Sequence, residues 1–222
     1  MPIITVSRLY GSGGADLAAG VAHALRWPLL DDLFIEAVAH EAGVPPAEVA
    51  AREERVPTLV ERVLDALAFG SPEVLPTLVE AAPQLTEERL LAVTRRVIEE
   101  AAAAGPAVVV GRGAQSVLAD WPDALHVFCH APHRALVARA MRRLATDEAH
   151  AAAMVDDTNR QREQYVRTHF GRAWRDVAAY HLCVDTDAFG VDGGAELVLH
   201  AARRRFGLRA LTAAGSRDDG RG

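Results

Sequence analysis

The start of the chain combines a short apolar run with a loop that contains three glycines. The run is Ile3–Val6, the glycines are Gly11, Gly13 and Gly14, and an alanine-rich helical pattern follows from Ala15 to Leu25. Glycine lets a backbone approach a ligand closely, and N–H groups in such a loop and at a helix N-terminus attract anions. The stretch therefore predicts either a phosphate-binding loop or an ordinary tight turn between a strand and a helix.

The loop departs from the Walker A pattern, G-x-x-x-x-G-K-[ST], at two positions that serve phosphate and metal binding. With Gly13 at the second glycine position, Gly14 stands at the lysine position and Ala15 at the Ser/Thr position. The sequence contains no lysine, so all 24 of its Lys and Arg residues are arginines. A positive charge on a bound phosphate must therefore come from arginine, and Arg8 lies in the same turn.

Further arginines follow along the chain. Arg112 comes directly after an apolar strand pattern, where a guanidinium is well placed to grip a phosphate bidentately. Arg160 and Arg162 lie in a polar helical stretch and either contact a transferring phosphoryl group or form a solvated face. One helical pattern carries four arginines, most of which we expect on an exposed face: Arg134, Arg139, Arg142 and Arg143.

Two carboxylates each allow two interpretations. Asp16, in the first helical turn, could approach Mg²⁺ through water or simply be favoured by the helix dipole. Asp31, after a short strand, could orient an acceptor or Mg²⁺, or cap the following helix. His126, His130 and His133 cluster without a metal-ligand motif, so no zinc site is predicted at these histidines.

The order of apolar runs and helical patterns predicts an α/β fold. We expect a mostly parallel five-stranded sheet flanked by helices, because strands and helices alternate. The domain spans 1–208, with an all-helical insertion at about 44–85 and a disordered tail at 209–222. Ligands of such sheets gather at the carboxyl ends of the strands. The expected elements are strands 3–7, 27–31, 107–110, 125–129 and 181–185, and helices 13–26, 31–43, 86–104, 114–119, 132–144, 148–171 and 192–206.

Composition narrows the classes of function. The net charge of −6 and the pI of about 5.8 argue against general nucleic-acid binding, which usually shows a basic surface. Cys129 and Cys183 both lie in apolar runs and are expected to be free core thiols in a reducing compartment. The chain shows no secretory leader pattern and no apolar run of membrane-spanning length, so we expect a cytoplasmic protein.

Taken together, these motifs resemble the bacterial cytidylate kinase-like family, a branch of the P-loop nucleoside monophosphate kinases, over about residues 3–206. The resemblance rests on four stretches: the strand and glycine loop (Ile3–Gly14), a second strand (Pro28–Asp31), a Gly-Arg turn (Val110–Arg112) and a polar helix (Arg160–Tyr165).

The resemblance implies ATP-dependent phosphoryl transfer to a nucleoside monophosphate such as CMP, or to a related small acceptor, with Mg²⁺. It implies that Arg112 holds the acceptor phosphate and that Arg160 and Arg162, on a mobile lid, act with Arg8 on the transferring group. The insertion would bind the acceptor or, alternatively, form a dimerisation arm, so a homodimer is left open. The donor phosphates would lie around Tyr10, Gly11, Ser12, Gly13, Gly14 and Asp16, and the acceptor near Asp31 and Arg112.

One departure from cytidylate kinase leaves the acceptor open. Gly111-Arg112-Gly113 corresponds to a Gly-Arg-Asp stretch whose aspartate helps to hold the nucleoside. Together with the missing lysine, this keeps two alternatives to the enzyme: a nucleotide-binding or regulatory protein on a kinase fold, and a scaffold whose insertion is the working surface.

Overall fold

A computed structural model of the protein describes residues 1–31 and 87–207. The predicted helix after Asp31, the insertion at 44–85 and the tail at 209–222 lie outside this described part of the chain. The strands are β1 (Ile3–Arg8), β2 (Leu29–Leu30), β3 (Ala107–Val110), β4 (Ala124–His130) and β5 (Leu182–Asp185). The helices are α1 (Gly14–Leu25), α2 (Glu87–Ala104), α3 (Ala114–Val117), α4 (His133–Leu144), α5 (Glu148–Phe170) and α6 (Thr186–Phe206), with a 3₁₀ turn at Val177–Ala179.

The five strands form one sheet in the order β2-β3-β1-β4-β5, and every neighbouring pair is parallel. The predicted five-stranded α/β fold is therefore confirmed. β1 is central: Ile3 is in register with Ala107 of β3 and with Ala124 of β4. The carboxyl ends of β1, β3 and β4 consequently meet at one edge of the sheet, where ligands of such folds bind.

Both faces of the sheet are covered, which is why the central strands are apolar throughout. Leu17 of α1 and Val198 of α6 pack on one face, against Val6 of β1. Ile98 of α2 packs on the other face, against Val109 of β3. Each such buried side chain contributes about 1.5–3 kcal/mol to the free energy of folding, so these two layers hold the loops at the sheet edge in place.

The last strand and helix differ from the sequence prediction. α6 begins at Thr186 rather than at residue 192, because Asp185 accepts hydrogen bonds from the N–H groups of Asp187 and Ala188. Gly190, with a φ of 71°, kinks the helix close to the predicted start. β5 lies at the edge of the sheet, and its Cys183 is exposed, so the prediction of a core thiol was wrong for this residue. Cys129 is buried as expected, and both cysteines are free thiols.

The described ranges contain neither a helix suited to cross a membrane nor a cluster of potential metal ligands. None of the helices there combines the length and apolar character that a membrane span requires. Residues 1–31 and 87–207 also contain no group of three or more His, Cys, Asp or Glu side chains arranged to hold a metal ion.

Candidate functional site

The glycine loop connects β1 to α1 and is tightly packed. Gly11 and Gly13 have φ values of +80° and +73°, which side-chain-bearing residues rarely adopt. A Cβ on Gly11 would stand 2.6 Å from the carbonyl oxygen of Leu136, and one on Gly13 would stand 2.7 Å from Cγ2 of Val191. The loop therefore lies directly against α4 and α6, and both positions require glycine.

The loop and the first turn of α1 present N–H groups at the sheet edge. Gly13 is the N-cap of α1 and has no side-chain capping bond, while the N–H of Gly14 approaches Oγ of the buried Ser12 at 3.3 Å. The first N–H groups of a helix have no intrahelical acceptor, so those of Ala15 and Asp16 are available to an anion. This geometry is of the kind that binds phosphate. The Asp16 carboxylate lies exposed in this first turn, and Asp31 lies half-buried directly after β2.

Arg8 occupies the space in which the missing lysine would begin. A Cβ built on Gly14 would stand 2.5 Å from Cβ and 3.1 Å from Cγ of Arg8. The Arg8 side chain continues across the sheet edge, where its guanidinium packs on Gly111 so closely that a Cβ there would collide with it. The absence of side chains at Gly14 and Gly111 is therefore what allows Arg8 to lie between the glycine loop and the end of β3.

Three of the predicted arginines converge on one cavity at this edge. Arg8 comes from the end of β1, Arg112 from the turn after β3, and Arg162 from the middle of α5. No carboxylate lies among the lining residues, so the cavity favours an anion. The lining residues are Ser7, Arg8, Gly111, Arg112, Arg162, Tyr165, Val166 and Trp174.

The backbone around Arg112 is unusual. Gly111, Arg112 and Gly113 have φ values of 72°, 57° and 66°, so three consecutive residues adopt the left-handed region. For a non-glycine residue this conformation is unfavourable, and such strain is concentrated at functional sites. The turn places Arg112 in the lining of the same cavity as Arg8.

α5 contacts the glycine loop through two residues one turn apart. Arg162 donates from Nη1 to the carbonyl oxygen of Arg8 at 2.9 Å, and its Cζ lies 6.0 Å from the ring centroid of Tyr10. Oδ1 of the buried Asn159 accepts from the N–H of Tyr10 at 2.8 Å. The sequence analysis did not identify Asn159. The available signal was its spacing of three from Arg162, which puts both residues on one helix face.

Arg160 lies on a different face of α5. Its side chain is 72% exposed and pairs with Asp157 at 3.2 Å. Residues two apart on a helix do not face the same way, so Arg160 and Arg162 cannot both point into the cavity from one helix position. The structure thus brings Arg162 to the cavity and leaves Arg160 in solvent.

Arg139 of α4 is a second residue that sequence reasoning missed. Its Nη1 lies 3.5 Å from the carbonyl oxygen of Gly11, 3.2 Å from that of Ser12 and 2.9 Å from Oγ1 of Thr186. Its Nη2 donates to the Thr186 carbonyl oxygen at 2.8 Å. The expectation that most arginines of this helix are exposed is confirmed by Arg134, Arg142 and Arg143. Arg139 is the exception, since its side chain is only partly exposed and contacts the glycine loop.

The packing around Gly113 leaves no space for the aspartate that cytidylate kinase has at the corresponding position. It is the N-cap of α3, and a Cβ there would collide with the ring of Phe170, the last residue of α5. The guanidinium of Arg95 covers the same ring at 5.0 Å from its centroid. The place of an aspartate side chain is therefore occupied by an aromatic ring.

The buried His126 lies deeper in the sheet, outside this cavity. Its Nδ1 is 2.8 Å from Oγ1 of Thr5, and its ring stacks on His181 with centroids 5.0 Å apart. Burial, and secondarily the neighbouring His181, lower the pKa of His126 to about 4. The ring is consequently neutral at pH 7 and has a structural role.

Solved structures show the same fold as this chain. An uncharacterized protein from Eubacterium ventriosum ATCC 27560 is 19% identical with a TM-score of 0.67, over 92% of this chain and 100% of that chain. The shikimate kinase of Bacteroides thetaiotaomicron is 12% identical with a TM-score of 0.51, over 93% and 99%. No curated protein sequence matches the chain.

The family model described as the cytidylate kinase-like family matches residues 3–188, which include the glycine loop, the Gly-Arg turn and all of α5. This match covers most of the chain, and the sheet order and the arginine cavity lie within it. The protein therefore belongs to the cytidylate kinase-like family.

Proposed function

We propose that this protein is an ATP-dependent phosphotransferase whose acceptor is a small phosphorylated molecule, of the nucleoside monophosphate class. The observation that carries the proposal is the convergence of Arg8, Arg112 and Arg162 on one cavity beside the glycine loop. Phosphoryl transfer depends mainly on positioning and on neutralising negative charge, and three guanidinium groups without a carboxylate among the lining residues supply that charge.

The donor phosphates bind the backbone of the loop from Tyr10 to Gly14 and the N-terminus of α1. Gly11 and Gly13 put no side chain between the loop backbone and a phosphate, and the first N–H groups of α1 have no acceptor within the helix. Arg8 takes the part of the absent lysine, since its stem fills the space at Gly14 and its guanidinium reaches the end of β3. Arg162, held by its bond to the Arg8 carbonyl, adds a second charge from α5.

The acceptor phosphate binds Arg112. β2 and β3 are neighbours in the sheet, so Asp31 after β2 lies on the same edge as Arg112 after β3 and is a candidate to orient the acceptor. The close packing of Gly113 against Phe170 leaves no room for the aspartate that holds the nucleoside in cytidylate kinase. For this reason the proposal extends to acceptors other than CMP.

The residues present fit an ATP phosphate chain well and a directly ligated Mg²⁺ less well. Ala15 has no hydroxyl to offer a metal ion, and the hydroxyl of Ser12 is buried beside the N–H of Gly14. The exposed Asp16 carboxylate, in the first turn of α1, is the residue that would hold Mg²⁺ through water. When bound, the ion would offset charge on the phosphate oxygens.

The test is ADP production from ATP and Mg²⁺ with a panel of acceptors: CMP, dCMP, UMP, AMP, GMP and non-nucleotide alcohols. With the acceptor that turns over, Arg112→Ala should raise the acceptor KM strongly and Arg162→Ala should lower kcat. Arg160→Ala is the matched control on the same helix, and its kinetics should be close to those of the wild type because its side chain is solvent-exposed. Unchanged kcat/KM in Arg112→Ala and Arg162→Ala would refute these roles.

A second candidate function is nucleotide binding without efficient transfer. The observation that favours it is the presence of Gly14 and Ala15 where a phosphate-binding loop usually has lysine and a metal-binding hydroxyl. ATP binding by calorimetry, with no turnover on any acceptor of the panel, would support this candidate and exclude the enzyme. Absence of both binding and turnover would exclude both.

A further inference from the structure

Two side chains hydrogen-bond to the glycine loop from outside it: the Arg139 guanidinium of α4 and the Thr186 hydroxyl of α6. Together they are called the brace. Thr186, the first residue of α6, is fully buried, and its Oγ1 lies 2.6 Å from the carbonyl oxygen of Ser12 and 3.2 Å from that of His130. The same Oγ1 accepts from Nη1 of Arg139 at 2.9 Å. A hydroxyl has a single proton to donate, and the shorter contact assigns it to Ser12.

Arg139 completes this brace. Its Nη1 lies within hydrogen-bond distance of the Ser12 carbonyl oxygen. Its Nη2 donates to the Thr186 carbonyl oxygen and lies 3.9 Å from the Asp187 carboxylate. The side chain is only 24% exposed. The Ser12 carbonyl therefore receives two donors from outside the loop, one of them charged, and its direction is strongly determined.

The direction of that carbonyl decides where the next N–H points. In a trans peptide the C=O and the following N–H point in opposite directions, and the described residues contain no cis peptide bond. With the Ser12 carbonyl turned toward Arg139 and Thr186, the N–H of Gly13 is turned away from them. A rotated Ser12–Gly13 peptide would instead present a carbonyl oxygen where a phosphate needs a donor.

We infer that Arg139 and Thr186 are positioning residues for anion binding: they hold the Ser12–Gly13 peptide so that the N–H of Gly13 faces the phosphate chain. Neither residue lines the arginine cavity, so both act through the backbone of the loop. The inference rests on the proposed function only in assigning a phosphate chain to the loop, and it does not require that transfer occurs.

The experiment measures the affinity of the purified full chain for inorganic tripolyphosphate by calorimetry, well below the melting temperature of every variant. Thr186→Val keeps the shape of the buried side chain but removes the hydroxyl, and Thr186→Ser keeps the hydroxyl. Arg139→Gln removes the charge, and Arg139→Lys retains it. Arg142→Gln, on the exposed face of the same helix, is the matched control.

We expect Thr186→Val and Arg139→Gln each to weaken tripolyphosphate binding about tenfold, as for the loss of a charge-assisted hydrogen bond. Thr186→Ser, Arg139→Lys and Arg142→Gln should stay within about threefold of the wild type, since each keeps the donor in question or lies outside the brace. If ATP is turned over, the KM for ATP should rise in Thr186→Val with a smaller change in kcat.

Unchanged tripolyphosphate affinity in Thr186→Val and in Arg139→Gln would overturn the inference, even if the melting temperature falls, because a purely structural role predicts that pattern. A second outcome is that the wild type binds tripolyphosphate, that the brace variants weaken this binding, and that no acceptor is phosphorylated. This result would overturn the proposed phosphoryl transfer and leave the inference standing. Failure of the wild type to bind tripolyphosphate would overturn both.

Discussion

Moving the positive charge from position 8 to position 14 tests whether Arg8 stands in for the absent lysine. The backbone of Gly14 is helical and has a negative φ, so a lysine there is compatible with the main chain. The obstacle is the Arg8 side chain, whose Cβ lies 2.5 Å from the position of the new Cβ. Carbon atoms prefer a separation of about 3.5–4.0 Å, so the two atoms would be about 1 Å too close.

Overpacking of this kind costs about 1–3 kcal/mol, and we expect Gly14→Lys alone to lower the free energy of unfolding by that amount and to reduce activity. The double variant Arg8→Gly/Gly14→Lys removes the clash and keeps one cation in the same space. It should recover most of the lost stability and more activity than either single variant. A residual loss of up to about 1 kcal/mol is expected from the flexibility of glycine at position 8, and Cβ of Cys129, 3.0 Å from the new Cβ, must shift slightly.

The matched control is Arg8→Ala/Gly14→Lys, which removes the same guanidinium but keeps the Cβ that causes the clash. Stability is measured by urea unfolding and activity by ADP release with the acceptor identified in the panel. Equal stability of the alanine and glycine double variants would show that the clash at Gly14 is not the reason for the missing lysine. Full activity in Arg8→Gly alone would refute the role of Arg8 as the cation of the loop.

Two further predictions concern packing and pH. Gly113→Ala should lower the free energy of unfolding by about 1–3 kcal/mol more than the control Gly171→Ala. Both glycines have similar φ values, +66° and +63°, but only Gly113 faces the Phe170 ring. Equal losses of stability in chemical denaturation would show that the Phe170 ring does not fill the space beside Gly113. The pKa of His126 is about 4 in the folded protein and about 6.5 in the unfolded chain. Between pH 6.5 and pH 4 the unfolded chain therefore binds a proton at this histidine that the folded protein does not, and stability falls as the pH drops. Through this group the free energy of unfolding is roughly 3 kcal/mol higher above pH 6.5 than below pH 4. Urea unfolding of the wild type and His126→Gln from pH 4 to 8 measures it, and an equal pH dependence in both would rule out His126 as the cause.

Local sequence patterns were sufficient for most of the fold. β-branched runs predicted β3 at 107–110 and placed the ends of β1 and β4 within one residue of those observed. The polar helical pattern at 148–171 predicted α5, which spans Glu148–Phe170 and is capped by Asp147 and Gly171. Such signals depend only on neighbouring residues, so they can be read without knowledge of the tertiary contacts.

The sequence also determined the chemistry that is available: a loop rich in glycine, no lysine, and arginine as the source of positive charge. It could not determine which arginines meet. Arg160 and Arg162 are nearly equivalent in sequence, and so are Arg139 and Arg142. In each pair one side chain is packed and the other is exposed, because the docking of α4 and α5 turns one helix face toward the loop.

Only the tertiary structure decided the contacts between residues far apart in the chain. The stem of Arg8 fills the space at Gly14, Phe170 fills the space beside Gly113, and Thr186 supports the Ser12 carbonyl. Each of these contacts depends on the angle at which a helix lies on the sheet, which is set by the packing of the whole core. Sequence spacing carries no direct record of that angle. For this reason the sequence indicated the types of candidate site residue but not which of them lie together.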